Sequence, residues 1–409
     1  MRFASTVPLP TAFRRLAWSN LSAQSAEQIG LAAAPIVAVL ALNADAGATG
    51  LLQTAQTLPF LLFAIPAGML ADNASRRRLM AGAETARALS LLAILLLALA
   101  GLLTLPLLAL LGFLGACGTV AFNVAAPALI PAMVPPTMLA AANGRIELAR
   151  TVAFAAGPAL AGALVGWTGG GLAFGVAAAL STGAVFLLAG LQEPARPARP
   201  KRHPLQDLRE GAGFVFGHTL LLPVLVTQFI FNTGFFILLA VYVPYAVHRL
   251  GLTAGGVGAT LSVYGIGMVV GALFAPRIAR LVSFGGMIAV GPICGFTAAL
   301  VMVLTIWIPS VILAGLSFFL IGVGPVLWVI STTTLRQTVT PAALLGRVSA
   351  ISLMTQGARP LGAAIGALVG GLYGAESCLV VAAIVFLIQA LVILGSPVVR
   401  LAAQPAMAG

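Results

Sequence analysis

The residues that could do chemistry in this chain are few, and most lie inside long apolar stretches. Glu27 stands twelve residues past Arg15, about 18 Å along a helix at 1.5 Å per residue. Asn20, Gln24, Glu27 and Gln28 recur at i, i+4, i+7 and i+8, so a helix gathers them into one polar stripe. A carboxyl group so placed is either a proton carrier or one half of a structural salt bridge. Arg359 lies at similar depth in a later apolar stretch. It can attract an anion, answer the charge state of Glu27, or hydrogen-bond helix carbonyls, and it cannot release its own proton. Glu84 with Arg87, and Glu147 with Arg150, are i,i+3 pairs suited to structural or gating contacts. Glu84 and Glu147 are also further candidates for carrying protons. Gln228 and Asn232 share a helix face beside Phe235 and Phe236. They either wall a cavity for an amphipathic molecule or bond between helices.

The elements that must hold these groups are membrane helices. Of 409 residues, 60% are hydrophobic and 7% charged, with a mean hydropathy of +1.10. A soluble domain carries about 25% charged residues, so lipid has to be the solvent. A spanning helix needs roughly 20 apolar residues. The spacing predicts spans at 17–43, 50–71, 79–103, 105–131, 144–167 and 171–191, then at 218–247, 254–276, 286–306, 309–335, 347–373 and 375–396. Their Gly, Ala and Leu content suits helices packed closely in lipid. The alternating strands of a membrane barrel are absent from the pattern.

A polar, proline-rich stretch at 194–217 separates six spans in residues 1–193 from six in residues 218–409. Gly162-Ala163-Leu164-Val165-Gly166 is matched by Gly366-Ala367-Leu368-Val369-Gly370, each in the fifth span of its half. The expectation is an all-α integral membrane protein with twelve transmembrane helices in two pseudo-symmetric six-helix halves.

A net charge of +12 could point to nucleic acid, but the distribution reads as topology. Arg14 and Arg15, Arg76 to Arg78, the central basic cluster, Arg277 and Arg280, Arg336 and Arg400 all fall on one side of twelve spans. By the positive-inside rule that side, with both termini, is cytoplasmic. Cys117, Cys294 and Cys378 stand singly, and the three histidines have no acid partner or metal-ligand spacing. No catalytic histidine, metal site or cofactor is assigned. A membrane enzyme is disfavoured, since zinc-site and nucleophile-elbow patterns are missing. The only lysine, Lys201, sits in the proline-rich stretch and cannot serve a Walker loop. A channel would need a filter or charge ring.

Motifs sharpen this. Gly68-Met69-Leu70-Ala71-Asp72-Asn73-Ala74-Ser75-Arg76-Arg77-Arg78 joins the second and third spans. Gly68 permits close helix approach, Asp72 can cap a helix N-terminus, and the arginines meet headgroups and carboxylates. The segment resembles the loop motif of major facilitator transporters, Gly-x-Leu-Ala-Asp-Arg-x-Gly-Arg-Lys, with Asn73 and Ser75 in place of Arg and Gly. Ala153 to Gly162, around Gly157-Pro158, resembles the antiporter motif Gly-x-x-x-Gly-Pro-x-x-Gly-Gly, associated with export. Phe122-Asn123 to Pro131, Arg336 to Pro341, Gly346-Arg347-Val348 and Gly357-Ala358-Arg359-Pro360 extend the likeness to drug and siderophore exporters, the branch of the enterobactin exporter and macrolide efflux proteins.

The resemblance implies a monomeric bacterial inner-membrane carrier, working by alternating access between halves. Protons, one small amphipathic substrate and the lipid bilayer are the implied partners. Gln24, Gln28, Asn123, Gln228, Asn232, Phe236, Gln356 and Arg359 are the implied cavity lining. Gly68, Asp72, Arg76, Arg77, Arg87, Arg150, Gly157, Pro158 and Arg347 are the implied gating set. Proton antiport with export is the expected mode, and a proton-coupled or facilitative importer stays open.

Overall fold

Five of the helix starts described fall where a side chain satisfies one of the first free N–H groups. Asp45 accepts from the Ala48 N–H at 2.7 Å. Ser75, Thr253, Ser283 and Ser310 do the same for the N–H three residues on. The computed structural model describes residues 10–135, 138–193, 204–341 and 344–406, and every regular element in them is helical. In chain order these are α1 (Thr11–Leu42), α2 (Ala46–Leu62), α3 (Ala64–Asn73), α4 (Arg76–Leu99), α5 (Leu105–Met133), α6 (Leu139–Thr168) and α7 (Gly171–Ala189). There follow α8 (Pro204–Gly217), α9 (Leu221–His248), α10 (Ala254–Ile278), α11 (Phe284–Leu304), α12 (Val311–Val339), α13 (Leu345–Met354) and α14 (Ala358–Leu394).

Two spans expected to be unbroken are not. The second bends by 47° between α2 and α3. Pro66 lacks the N–H that would bond Leu62, and its ring crowds that carbonyl. The eleventh tightens into a single 3-10 turn at Thr355–Gly357, where Pro360 acts on Gln356 in the same way. The stretch 194–217 is also not all loop. Residues 204–217 form α8, while 194–203, with their basic cluster, lie outside the described residues. Arg347 of α13 pins α8 by salt bridges to Asp207 at 2.8 Å and Glu210 at 2.5 Å.

Among the described residues ten helices are long and apolar enough to cross a membrane, and the bent α2–α3 pair makes an eleventh. One of the ten is the 50-residue run Leu345–Leu394. As helix that run would reach about 75 Å, against a hydrocarbon core of about 30 Å. Gly374 interrupts it with φ 83° and ψ 169°, a conformation that glycine adopts freely. Twelve residues to either side, Gly362 packs on Thr233 and Phe386 on Gly234. The chain therefore doubles back at Gly374, and α14 is two spans, which accounts for twelve.

The buried apolar residues show where these helices meet. Towards the end where α1 stops, one core joins early and late helices through Ile36, Val37, Leu52 and Phe174 with Tyr242, Val257, Phe318 and Leu379. Towards the end that carries residue 11 the cores are separate. Phe13, Leu16, Met80, Phe122 and Leu188 form one of them. Ile288, Trp328, Leu335 and Ile393, and next to them Val215, Leu221 and Val348, form others. At that end no buried core among the described residues includes helices of both groups.

Small residues make the shared core tight. A Cβ on Gly258 of α10 would stand 2.3 Å from the Pro158 carbonyl of α6. One on Gly50 of α2 would stand 2.4 Å from the Ala367 Cα. Gly258→Leu is therefore expected to destabilise the fold by about 1–3 kcal/mol through overpacking, read as a lower Tm of the detergent-purified chain. Gly144→Ala, where a Cβ meets nothing within 4 Å, should match the wild type. Equal melting of the two variants would contradict the seam.

Candidate functional site

The polar stripe of α1 turns inward, with Asn20, Gln24 and Gln28 buried. Beside it the structure assembles a charged cluster around an i,i+3 pair of α4. Arg87 pairs with Glu84, one turn earlier, at 2.6 Å, and with Glu27 of α1 at 3.9 Å. Its guanidinium also donates to the Ala23 carbonyl at 3.2 Å and to Thr119 Oγ1 at 2.7 Å. Ser181 of α7 donates to the second Glu84 oxygen at 2.9 Å. Glu84 is thus fully enclosed, with both oxygens bonded, whereas the Glu27 side chain retains 13% exposure. A cavity of about 50 Å³ lies against Glu27, Gln56, Arg87, Ser90 and Thr119, large enough for a few water molecules. Low polarity around such a cluster strengthens every charge interaction in it. Glu84 and Arg87, expected near the cytoplasmic end of their span in a structural or gating role, form a buried ion pair beside Glu27.

A second group forms where α2, α9 and α14 meet. Arg359 lies over the rings of Phe60 and Phe236, its Cζ 4.7 and 5.4 Å from the centroids. Its Nε donates to Asn232 Oδ1 at 3.5 Å. Cation–π contact on two rings fixes the guanidinium plane. From there an aromatic series runs across the bundle. Phe235 stacks on Tyr264 at 5.5 Å, Tyr264 meets Phe154 at 5.8 Å, and Arg150 lies 5.5 Å over Phe154. Arg150 bonds Glu147 at 3.0 and 2.5 Å, and both side chains are well exposed. Glu147 therefore stands apart from the buried cluster. Gln24 donates to the exposed Asn123 at 3.4 Å. Gln356 is half-buried in its 3-10 turn. Gln228 leaves this group and lines a separate small cavity with Arg336.

The gating candidates divide. Gly157 rests on α1, where a Cβ would stand 2.5 Å from that of Gln28. Pro158 packs on Gly258, and Ser262 of α10 accepts the Ala159 N–H at 2.8 Å. So α6 touches both the stripe that carries Glu27 and the later helices. At Gly68 a Cβ would meet nothing within 4 Å, so this conformation has no close helix approach there. Asp72 and Asn73 end α3, and their side chains lie outside the described residues. The Arg76 and Arg77 backbone N–H groups donate to Glu193 at 3.1 and 3.2 Å. Arg77 also bonds the Ala189 and Leu191 carbonyls at 3.1 and 3.2 Å. That ties the start of α4 to the end of α7.

Sequence reasoning missed Gln56, Thr119, Ser181, Ser262 and Glu193. Gln53 and Gln56, i and i+3 in an apolar span, carried a polar-stripe signal like that of α1. The lone hydroxyls carried none, being common in membrane helices. Among the described residues no group of three or more His, Cys, Asp and Glu could hold a metal ion. His218, between α8 and α9, accepts the Leu220 N–H at 3.2 Å, and burial pushes its imidazole pKa down.

Residues 16–359 match the family model of the Major Facilitator Superfamily. An uncharacterized MFS-type transporter of Sinorhizobium fredii, y4rN, is 31% identical over 256 residues, 59% of this chain. The match spans 60% of that relative's length. Among solved structures, the nucleoside transporter NupG aligns with a TM-score of 0.72 at 14% identity, covering 94% of this chain and 99% of its own. The POT family transporter PepTSo gives 0.77 at 12%, over 95% and 97%. A bacterial homologue of the human lysosomal transporter Spinster, inward-facing and unoccupied, gives 0.71 at 16%, over 96% and 98%.

Proposed function

The chain belongs to the Major Facilitator Superfamily, and on that premise we propose that it exports a small amphipathic molecule in exchange for protons. It is a multi-pass membrane transporter, not an enzyme. The observation that carries the coupling is one guanidinium set between two carboxyl groups. Arg87 neutralises one of them, and Glu84 holds it at 2.6 Å with Ser181 on its other oxygen. Glu27, at 3.9 Å and beside the small cavity, is the group left to take up and release a proton.

The cycle follows from alternating access. Residues 1–193 and 218–409 rock against each other, with both termini and the end where the cores are separate on the cytoplasmic side of a bacterial inner membrane. Substrate enters among Asn123, Asn232, Phe236 and Arg359. A proton reaching Glu27 from outside resets the carrier, and α6 passes the change on through Gly157 on Gln28 and Pro158 on Gly258. Asp72 closes the cytoplasmic side in the opposite state. The Gly157-Pro158 motif supports export as the direction, and a monomer suffices. The test is a panel of drugs and siderophore-like compounds added to inside-out vesicles holding a pH gradient reported by a dye. One chemical class should collapse the gradient.

Arg359 favours a second reading. Among the described residues no carboxylate lies within salt-bridge distance of it, so a proton on Glu27 leaves its charge less balanced and an organic anion better held. Proton and anion would then bind together, as in an importer. Uptake of an organic anion driven by an inward proton gradient in right-side-out vesicles, with no response in the export panel, would select that reading.

A further inference from the structure

Arg336, in the last turn of α12, opens the Arg336-Gln337-Thr338-Val339-Thr340-Pro341 segment, to which the transport cycle assigns nothing. Its side chain lines a small, partly open space where α8, α9, α12 and α13 meet. Val215, Leu221, Val224, Leu225 and Val348 make the apolar walls, and Gln228, Thr332 and Ser352 bring the other polar groups. Arg336 Nε is shielded from solvent and has no hydrogen-bond partner. Among the described residues no carboxylate lies within 4.0 Å of this guanidinium. The acids of the neighbouring α8, Asp207 and Glu210, are both taken by Arg347. Arg336 is half-buried, and a shielded donor on a charged group left without an acceptor is costly.

From this geometry we infer that the chain binds one monatomic anion of the chloride class at Arg336. The anion supplies the missing acceptor and the missing charge together. Gln228 is the second donor, since its side-chain amide has no partner elsewhere among the described residues. The hydroxyl protons are committed: Thr332 donates to the Trp328 carbonyl at 2.7 Å and Ser352 to the Val348 carbonyl at 3.2 Å. Size sets the class. The space is about 20 Å³, room for a single ion or one to two waters, and too small for phosphate, sulfate or a carboxylate. Because α8, α9, α12 and α13 all contribute, the anion braces the terminus-bearing end of the later helices.

The test uses the full chain purified in neutral detergent, with chloride exchanged for gluconate at constant ionic strength. Tm should rise saturably with chloride and with bromide, but not with sulfate. Wild-type protein should also broaden the chloride-35 magnetic resonance line, and bromide should reverse the broadening. Arg336→Gln should lose both responses. Ser352→Val, which keeps the arginine and fills the space, should lose them too and serves where Arg336→Gln fails to fold. A Tm indifferent to chloride with no reversible broadening, as for water alone, overturns the site. So does a saturable response that survives in either variant.

Discussion

Glu84→Ala is expected to destabilise the folded chain by about 3–5 kcal/mol, the usual cost of removing one partner from a buried ion pair. The substitution leaves Arg87 enclosed with only the more distant Glu27 to balance its charge. It also strips Ser181 of its acceptor and opens a void among α1, α4 and α7. Glu84→Gln keeps the shape and a hydrogen-bonding oxygen, and should lose much less. Thermal unfolding of the detergent-purified variants reads the difference directly. If Glu84→Ala melts with the wild type, the carboxylate is not what holds Arg87, and the separate roles given to Glu84 and Glu27 fail.

Glu27→Gln is expected to do the reverse: keep the fold and abolish proton-driven transport. An amide fits the same space and still offers Arg87 an oxygen, yet it has no proton to exchange. The remaining pair, Arg87 with Glu84, is then balanced one to one, so stability should hold. Gradient-driven transport should fall to the level of vesicles without the protein. Glu147→Gln, in an exposed pair with Arg150, should change transport by less than about twofold, as surface pairs contribute little. Loss of coupling in Glu147→Gln with retention in Glu27→Gln would move the proton site to α6.

The difference between these two glutamates was only half legible in the sequence. Depth in an apolar stretch singled out Glu27, and i,i+3 spacing paired Glu84 with Arg87 and Glu147 with Arg150. Nothing in the spacing shows that α4 turns its pair towards α1 while α6 leaves its pair exposed. That depends on helix rotation, which in lipid is set by packing rather than by an amphipathic pattern, because the outside is apolar too. The spans themselves were legible, since length and hydropathy fix them. The breaks at Phe63 and Thr355–Gly357 were missed although Pro66 and Pro360 signal them, because a span count by hydropathy is blind to proline. Arg359 was recognised as deep, but its seat between Phe60 and Phe236 joins residues about 300 and 120 positions away, beyond any local pattern.

Two assays on wild-type and Glu27→Gln vesicles decide whether Glu27 carries the coupled proton. Both use a compound that collapses the pH gradient in wild-type membranes. One assay follows that gradient, and the other follows exchange of labelled for unlabelled compound with no gradient present. Glu27→Gln should keep exchange and lose the proton movement. Gradient collapse in Glu27→Gln equal to that of the wild type would contradict it.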